Sequence, residues 1–167
     1  MAKLDIKIDL EGPFNLRNIY YRELDVCKYQ LRNDYIFSPT DPLYEEVPWV
    51  TGYEIDIEYI RLRLNGELTV KKGYPWNGPS GPVIDTEAAI VGSLYHDPFY
   101  RLFRLELLPI QERPKTDRGY KRVCRAWGMS RFRAWYQLNG LKKFAYYAAK
   151  PGTQKRDIIL RPPWVEP

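Results

Sequence analysis

The chain holds one histidine, two cysteines and two methionines in 167 residues. A single histidine excludes every metal or catalytic arrangement built on two or more imidazoles. The cysteines, Cys27 and Cys124, are widely separated and have no CxxC spacing. That argues against a zinc cluster or a disulfide framework, and for two small buried side chains in a reducing compartment. No apolar run approaches the roughly eighteen residues that a membrane span needs, and no charged-then-apolar leader opens the sequence, so no membrane span is expected. HExxH, Walker, GxGxxG and GxSxG patterns are also missing, as are internal repeats and low-complexity segments. These absences predict one domain over residues 1–167, made in a cytoplasm.

Aromatic residues, by contrast, are abundant: fourteen tyrosines and five tryptophans. Such residues build cores and also concentrate where a surface meets a partner. The balance of 26 Lys and Arg against 21 Asp and Glu is mildly basic. More than half of the basic residues fall from Arg101 onward. Solvated helix faces account for such a bias, and so does a nucleic-acid contact through the basic residues between Arg118 and Lys143, which would weaken steeply with salt.

Strand-like and helix-like periods are segregated along the chain. Leu4, Ile6, Ile8 and Leu10 alternate with Asp5, Lys7 and Asp9, the period of a half-buried strand, until Gly12-Pro13. Ile19 to Phe37 predicts one long strand or two. Pro39, Pro42 and Pro48, with Glu45 and Glu46, predict a surface connection. From Tyr53 to Leu64 the apolar face switches from odd to even positions, which predicts a strand bulged near Tyr59. Asn65-Gly66 predicts a type I′ turn and Glu67 to Lys72 the returning strand, so a hairpin spans 53–72.

That hairpin feeds a loop, Gly73 to Pro82, where prolines fix φ, glycines permit positive φ, and Asn77 and Ser80 are presented in fixed directions. Asp85 or Thr86 can supply the N-cap of a helix through Ala88 to Leu94. His96 and Asp97 lie near its other end, with Tyr100 four residues after His96, and Pro98 is expected to break or restart the helix. After a Pro109 to Pro114 connection, Thr116 is expected to cap a helix running to Trp127, with Gly128 as its stop. Ser130 can cap a last helix whose Phe132, Trp135, Leu138 or Asn139, Leu141 or Lys142, and Phe144 to Ala148 form a broad apolar stripe until Pro151-Gly152. Asp157 to Pro167 reads as an extended arm. Strands first and helices later predict an α+β fold, an antiparallel sheet from the N-terminal half packed by about three helices from the C-terminal half.

Three parts of this region occur in a fixed order. Gly73 to Pro82 gives Gly-aromatic-x-x-x-Gly-x-Ser-x-Pro, the helix Ala88 to Tyr100 ends in His96-Asp97-x-x-Tyr100, and Arg113-x-x-x-Asp117 opens another helix. The combination, over roughly residues 55 to 150, resembles a domain-of-unknown-function family common in tailed bacteriophages and prophages. The family pattern usually carries an aspartate where this chain has Asn77, an amide that cannot be a general base and is a poor metal ligand. The resemblance implies a phage source rather than a mechanism: synthesis in host cytoplasm, then a place in the virion, with other virion proteins or further copies of the chain as partners.

Two chemistries fit these residues. His96, oriented by Asp97, can act as general acid or base, with Ser80 as nucleophile if the ring reaches it. A metal would have to use His96 with Asp85, Asp97 or Asp117, a set suited to Mg²⁺, Mn²⁺ or Fe²⁺; no metal and no cofactor is expected. The other reading is a polar clasp in which Asp85 caps a helix, His96 and Asp97 bond the loop carrying Asn77, and Arg113 pairs with Asp97 or Asp117 beside Tyr100. Two functions follow. One is a structural or assembly protein of the virion, tail-associated and bound through its aromatic surface. The other is a small phage hydrolase or ligand binder, acting on cell wall or a nucleotide through His96. Exposed aromatics in a patch away from His96 favour the first; an open cleft over His96, Asp97 and Ser80 favours the second.

Overall fold

A computed structural model describes residues 6–7, 20–23, 28–79 and 86–153, the first two segments by backbone alone. Cys27, Ser80, Asp85 and the 157–167 arm lie outside the described residues. The architecture is α+β, with the strands preceding the long helices, as the segregation of periods predicts.

Among the described residues the strands form two antiparallel sheets rather than one. β1 (Ile6–Lys7), β2 (Tyr20–Glu23), β3 (Tyr29–Leu31) and β8 (Pro75–Trp76) lie in that order in the first; β4 (Tyr35–Phe37), β7 (Leu68–Val70), β6 (Ile60–Leu62) and β5 (Ile55–Ile57) make the second. The stretch expected to give one strand or two thus gives three, β2 to β4. Pro75, expected in a loop, sits on edge strand β8, where a missing N–H costs the sheet little.

Two turns differ from expectation. Ile57 pairs with Ile60, so the chain reverses over Glu58-Tyr59 instead of bulging there. A bulge and a reversal both move the apolar face by one position, so alternation alone does not separate them. At Asn65-Gly66 the hairpin has a three-residue loop: Gly66 N–H donates to Arg63 O at 2.8 Å and Arg63 N–H to Glu67 O at 2.9 Å. Only Gly66 of the pair has positive φ, at 90°, whereas type I′ needs it at both central residues. The connection expected on the surface contains a 3₁₀ turn, Pro42–Tyr44, capped by Asp41, and it buries Tyr44 and Val50.

Both sheets dock on α1 (Glu87–Arg104), which is buried on almost every side, as befits a helix apolar all round. Phe37 of β4 meets Tyr95 edge-on at 5.3 Å between centroids, and Trp76 of β8 donates its indole N–H to Ser93 Oγ at 3.2 Å. The helix runs straight through Pro98, contrary to the expected break. An interior proline costs about 3 kcal/mol locally. Val91, Leu94 and Tyr95 before it and Phe99, Leu102 and Phe103 after it are buried, at about 1.5–3 kcal/mol for each large apolar side chain. Burial on both sides outweighs the break.

α2 (Arg113–Ala126) begins three residues before the expected cap, with Pro114 in its first turn, and Thr116 lies inside it, its hydroxyl donating back to Glu112 O at 3.3 Å. Its end is a Schellman motif at Gly128, φ 85°, with Met129 N–H donating to Cys124 O at 3.0 Å. α1 and α2 cross where glycines leave room: a Cβ on Gly119 would stand 2.5 Å from the Tyr95 hydroxyl, and one on Gly92 would collide with Cys124 Sγ. α3 (Arg131–Phe144) starts at Ser130, whose Oγ accepts from Arg133 N–H at 3.3 Å, and a short α4 (Tyr146–Ala149) follows. Its buried face is Ala134, Gln137 and Leu138, so the stripe expected from Phe132 and Trp135 faces outward. Among the described residues no helix is long and apolar enough to cross a membrane.

Candidate functional site

The i,i+4 spacing on α1 puts His96 and Tyr100 on one side, their rings 4.0 Å apart between centroids, facing α2. The same spacing on α2 puts Arg113 beside Asp117, Arg113 Nη1 donating to Oδ2 at 2.9 Å. Asp117, with its side chain 1% exposed, accepts on its other oxygen from the Tyr100 hydroxyl at 2.8 Å, and His96 Nε2 lies 3.0 Å from that same Oδ1. A carboxylate only accepts, so the His96 proton on Nε2 points at Asp117. Asp97 stands on the opposite edge of the ring, its Oδ1 3.7 Å from Nδ1.

Electrostatics follow from this crowding. Burial pulls the His96 pKa down, but hydrogen bonds and charges from Asp117 and Asp97 outweigh it, and the pKa is raised. When protonated, the ring is a buried cation set between two carboxylates. Burial, then the Asp117 charge, raises the Tyr100 phenol, so it stays a neutral donor. Burial likewise pushes the Cys124 thiol up to about 12, which keeps it from acting as a thiolate nucleophile near neutrality. Arg113 also reaches α3 and α4, with Nη1 3.4 Å from Leu141 O and its guanidinium 5.7 Å from the Tyr146 ring centroid. The cluster therefore joins α1, α2, α3 and α4.

No family model, curated protein or solved structure matches the chain.

Of the residues singled out in the sequence, the fold brings together His96, Asp97, Tyr100, Arg113 and Asp117. It does not bring in Asn77, which is exposed and accepts from the Lys28 backbone N–H at 3.2 Å. Ser80 and Asp85 are outside the described residues. Among the described residues the clasp therefore links helix to helix, and Trp76 ties the described part of the loop to α1 through Ser93. Sequence reasoning missed Tyr120 and Gln137 as polar members: the Tyr120 ring packs edge-on to His96 at 5.5 Å and its hydroxyl donates to Gln137 Oε1 at 2.7 Å. Their signal was a polar residue interrupting an otherwise small and apolar stripe, Ala134-x-x-Gln137-Leu138.

The geometry suits binding of helices to one another rather than of a metal. Asp97 and Asp117 approach opposite ring nitrogens, so a cation on either nitrogen would meet one carboxylate, and Arg113 holds the far oxygen of Asp117. Among the described residues no three His, Cys, Asp or Glu side chains are grouped to hold a metal ion. His96 is 5% exposed. An open groove of about 600 Å³ lies elsewhere, between the Pro42–Tyr44 turn and α2–α3, lined by Glu46, Lys121, Arg122, Arg125, Arg131 and Trp135 among others.

Proposed function

We propose that this is a bacteriophage structural or assembly protein, tail-associated in the virion, in which the His96 cluster clamps the helices and the outer face of α3–α4 is the docking surface. One observation carries the reading: Phe132, Trp135 and Tyr136 are more than half exposed on the side of α3 opposite the buried Ala134, Gln137 and Leu138. Through Gln137 and Tyr120 the buried side faces His96, so the exposed rings point away from it. The phage assignment itself rests on the ordered motifs of the Gly73 loop, the His96-Asp97-x-x-Tyr100 helix end and Arg113-x-x-x-Asp117. A hydrolase reading needs His96 within reach of a substrate, and its ring is enclosed by Asp97, Tyr100, Asp117 and Tyr120.

Mass spectrometry of purified virions from a phage carrying this gene tests the proposal. Stoichiometric presence in particles is the expected result. Absence from particles, together with hydrolysis or ligand binding that His96→Ala abolishes in a folded protein, would replace it with the enzyme reading.

A further inference from the structure

Between Arg113 and Thr153 the chain carries eleven Lys or Arg and one carboxylate, Asp117. That carboxylate is buried and taken up by His96, Tyr100 and Arg113. The outer surface of α2–α4 therefore carries an excess of cations, even though Lys115 pairs with Glu112 and Arg122 with Glu46.

On that surface the cations alternate with open rings. Phe132, Trp135, Tyr136, Phe144 and Tyr147 are 53–77% exposed. Arg131 precedes Phe132, and Lys142 and Lys143 precede Phe144. Trp135 also lines the groove of about 600 Å³, where Lys121, Arg122, Arg125 and Arg131 outnumber Glu45 and Glu46. At about 1.5 Å per residue, α3 spreads these platforms over roughly 20 Å.

We infer that this face binds single-stranded nucleic acid, with unpaired bases stacking on the exposed rings and phosphates following the cations of the groove. The charge pattern selects among occupants. The buried core of a protein interface is depleted in charge, whereas here cations stand between the rings. A duplex keeps its bases stacked inside and would leave the rings unused. A single strand offers both π faces and phosphates, and arginines beside the rings add cation–π attraction. The inference rests on the virion reading for this face being the docking surface and names nucleic acid, rather than a further protein, as its occupant; it stands if the protein binds nucleic acid yet is absent from particles.

The test is fluorescence anisotropy of the full chain with labelled oligothymidylate and oligouridylate of about 15 nucleotides. The expected result is saturable binding of one or both at low salt. It should weaken with a log–log salt slope of about −0.7 per phosphate contacted. Trp135→Ala and Phe132→Ala, both at exposed positions, should each weaken binding roughly fivefold to a hundredfold, the worth of one stacked base. Arg131→Glu should weaken it and flatten the salt slope. Circular dichroism should be unchanged in all three variants. Two results would overturn the inference. One is no binding by the folded wild type at low salt. The other is competition by duplex DNA or polyglutamate as effective as by the oligonucleotide, with both aromatic variants binding like wild type, which would mean that the face reads charge alone.

Discussion

Glu106 and Gly128 occupy the same position, one residue beyond the last of a helix and its cap, in the same left-handed conformation, with φ 58° and 85°. Each donates its N–H to the carbonyl three residues back, Phe103 and Arg125 respectively. Only one of the two is a glycine. A side chain in this region costs about 1–2 kcal/mol. Glu106→Gly is therefore expected to raise stability by about 1 kcal/mol and Gly128→Ala to lower it by a similar amount. At this chain length each is a Tm shift of about 2–4 °C. No rise in the Tm of Glu106→Gly would mean that the glutamate side chain makes a compensating contact.

Asp117 accepts from three donors while wholly enclosed. Removing one partner of a buried charged set leaves the others uncompensated, at about 3–5 kcal/mol. Asp117→Asn, nearly isosteric, is expected to lose that much in urea unfolding, and more than Asp97→Asn, whose side chain is a third exposed. A loss below about 1 kcal/mol would contradict the clamp.

His96 is raised in the fold from its ordinary value of 6.5, since its two carboxylates outweigh burial. The protonated ring is thus favoured by folding. Its contribution is complete below the ordinary value and lost as pH rises through the raised one. Stability is expected to fall as pH rises from the ordinary imidazole value through the raised one. Because the chain has one histidine, a single imidazole resonance in NMR reports the titration. Asp97→Asn should move that midpoint down. A midpoint below 6.5 in the wild type would reverse the sign.

The Tyr95 hydroxyl is buried with no hydrogen-bond partner among the described residues. An unsatisfied buried hydroxyl costs about 1–3 kcal/mol, so Tyr95→Phe is expected to be neutral or stabilising by about 1 kcal/mol. Gly119→Ala should cost about 1–3 kcal/mol by overpacking. Combining the two should recover only part of that loss, because ring carbons also stand 2.6 and 2.8 Å from the new methyl. Full recovery in the double mutant would show that the hydroxyl alone makes the clash.

Helical spacing made much of the cluster legible: His96 with Tyr100 and Arg113 with Asp117 each share a helix side by the i,i+4 rule. Which carboxylate Arg113 would take, Asp97 or Asp117, was open, because it depends on how α2 lies against α1. That crossing is set by Gly92 and Gly119, whose role appears only once the facing Cys124 and Tyr95 are in place. Pro98 misleads for a related reason, since local propensity is blind to burial on either side. The stripe on α3 was visible as a stripe, but periodicity marks an apolar face without saying whether anything covers it.

The single carboxylate between Arg113 and Thr153 has one more consequence. Residues 1–60 show the reverse imbalance, with twelve Asp or Glu against six Lys or Arg. The chain is therefore polarised along its length, and the Arg122–Glu46 ion pair spans the two regions. Each half acts as the other's counter-ion. A fragment beginning at Thr86 would have to fold against its own repulsion, and added salt or a polyanion should steady it in place of the missing sheets.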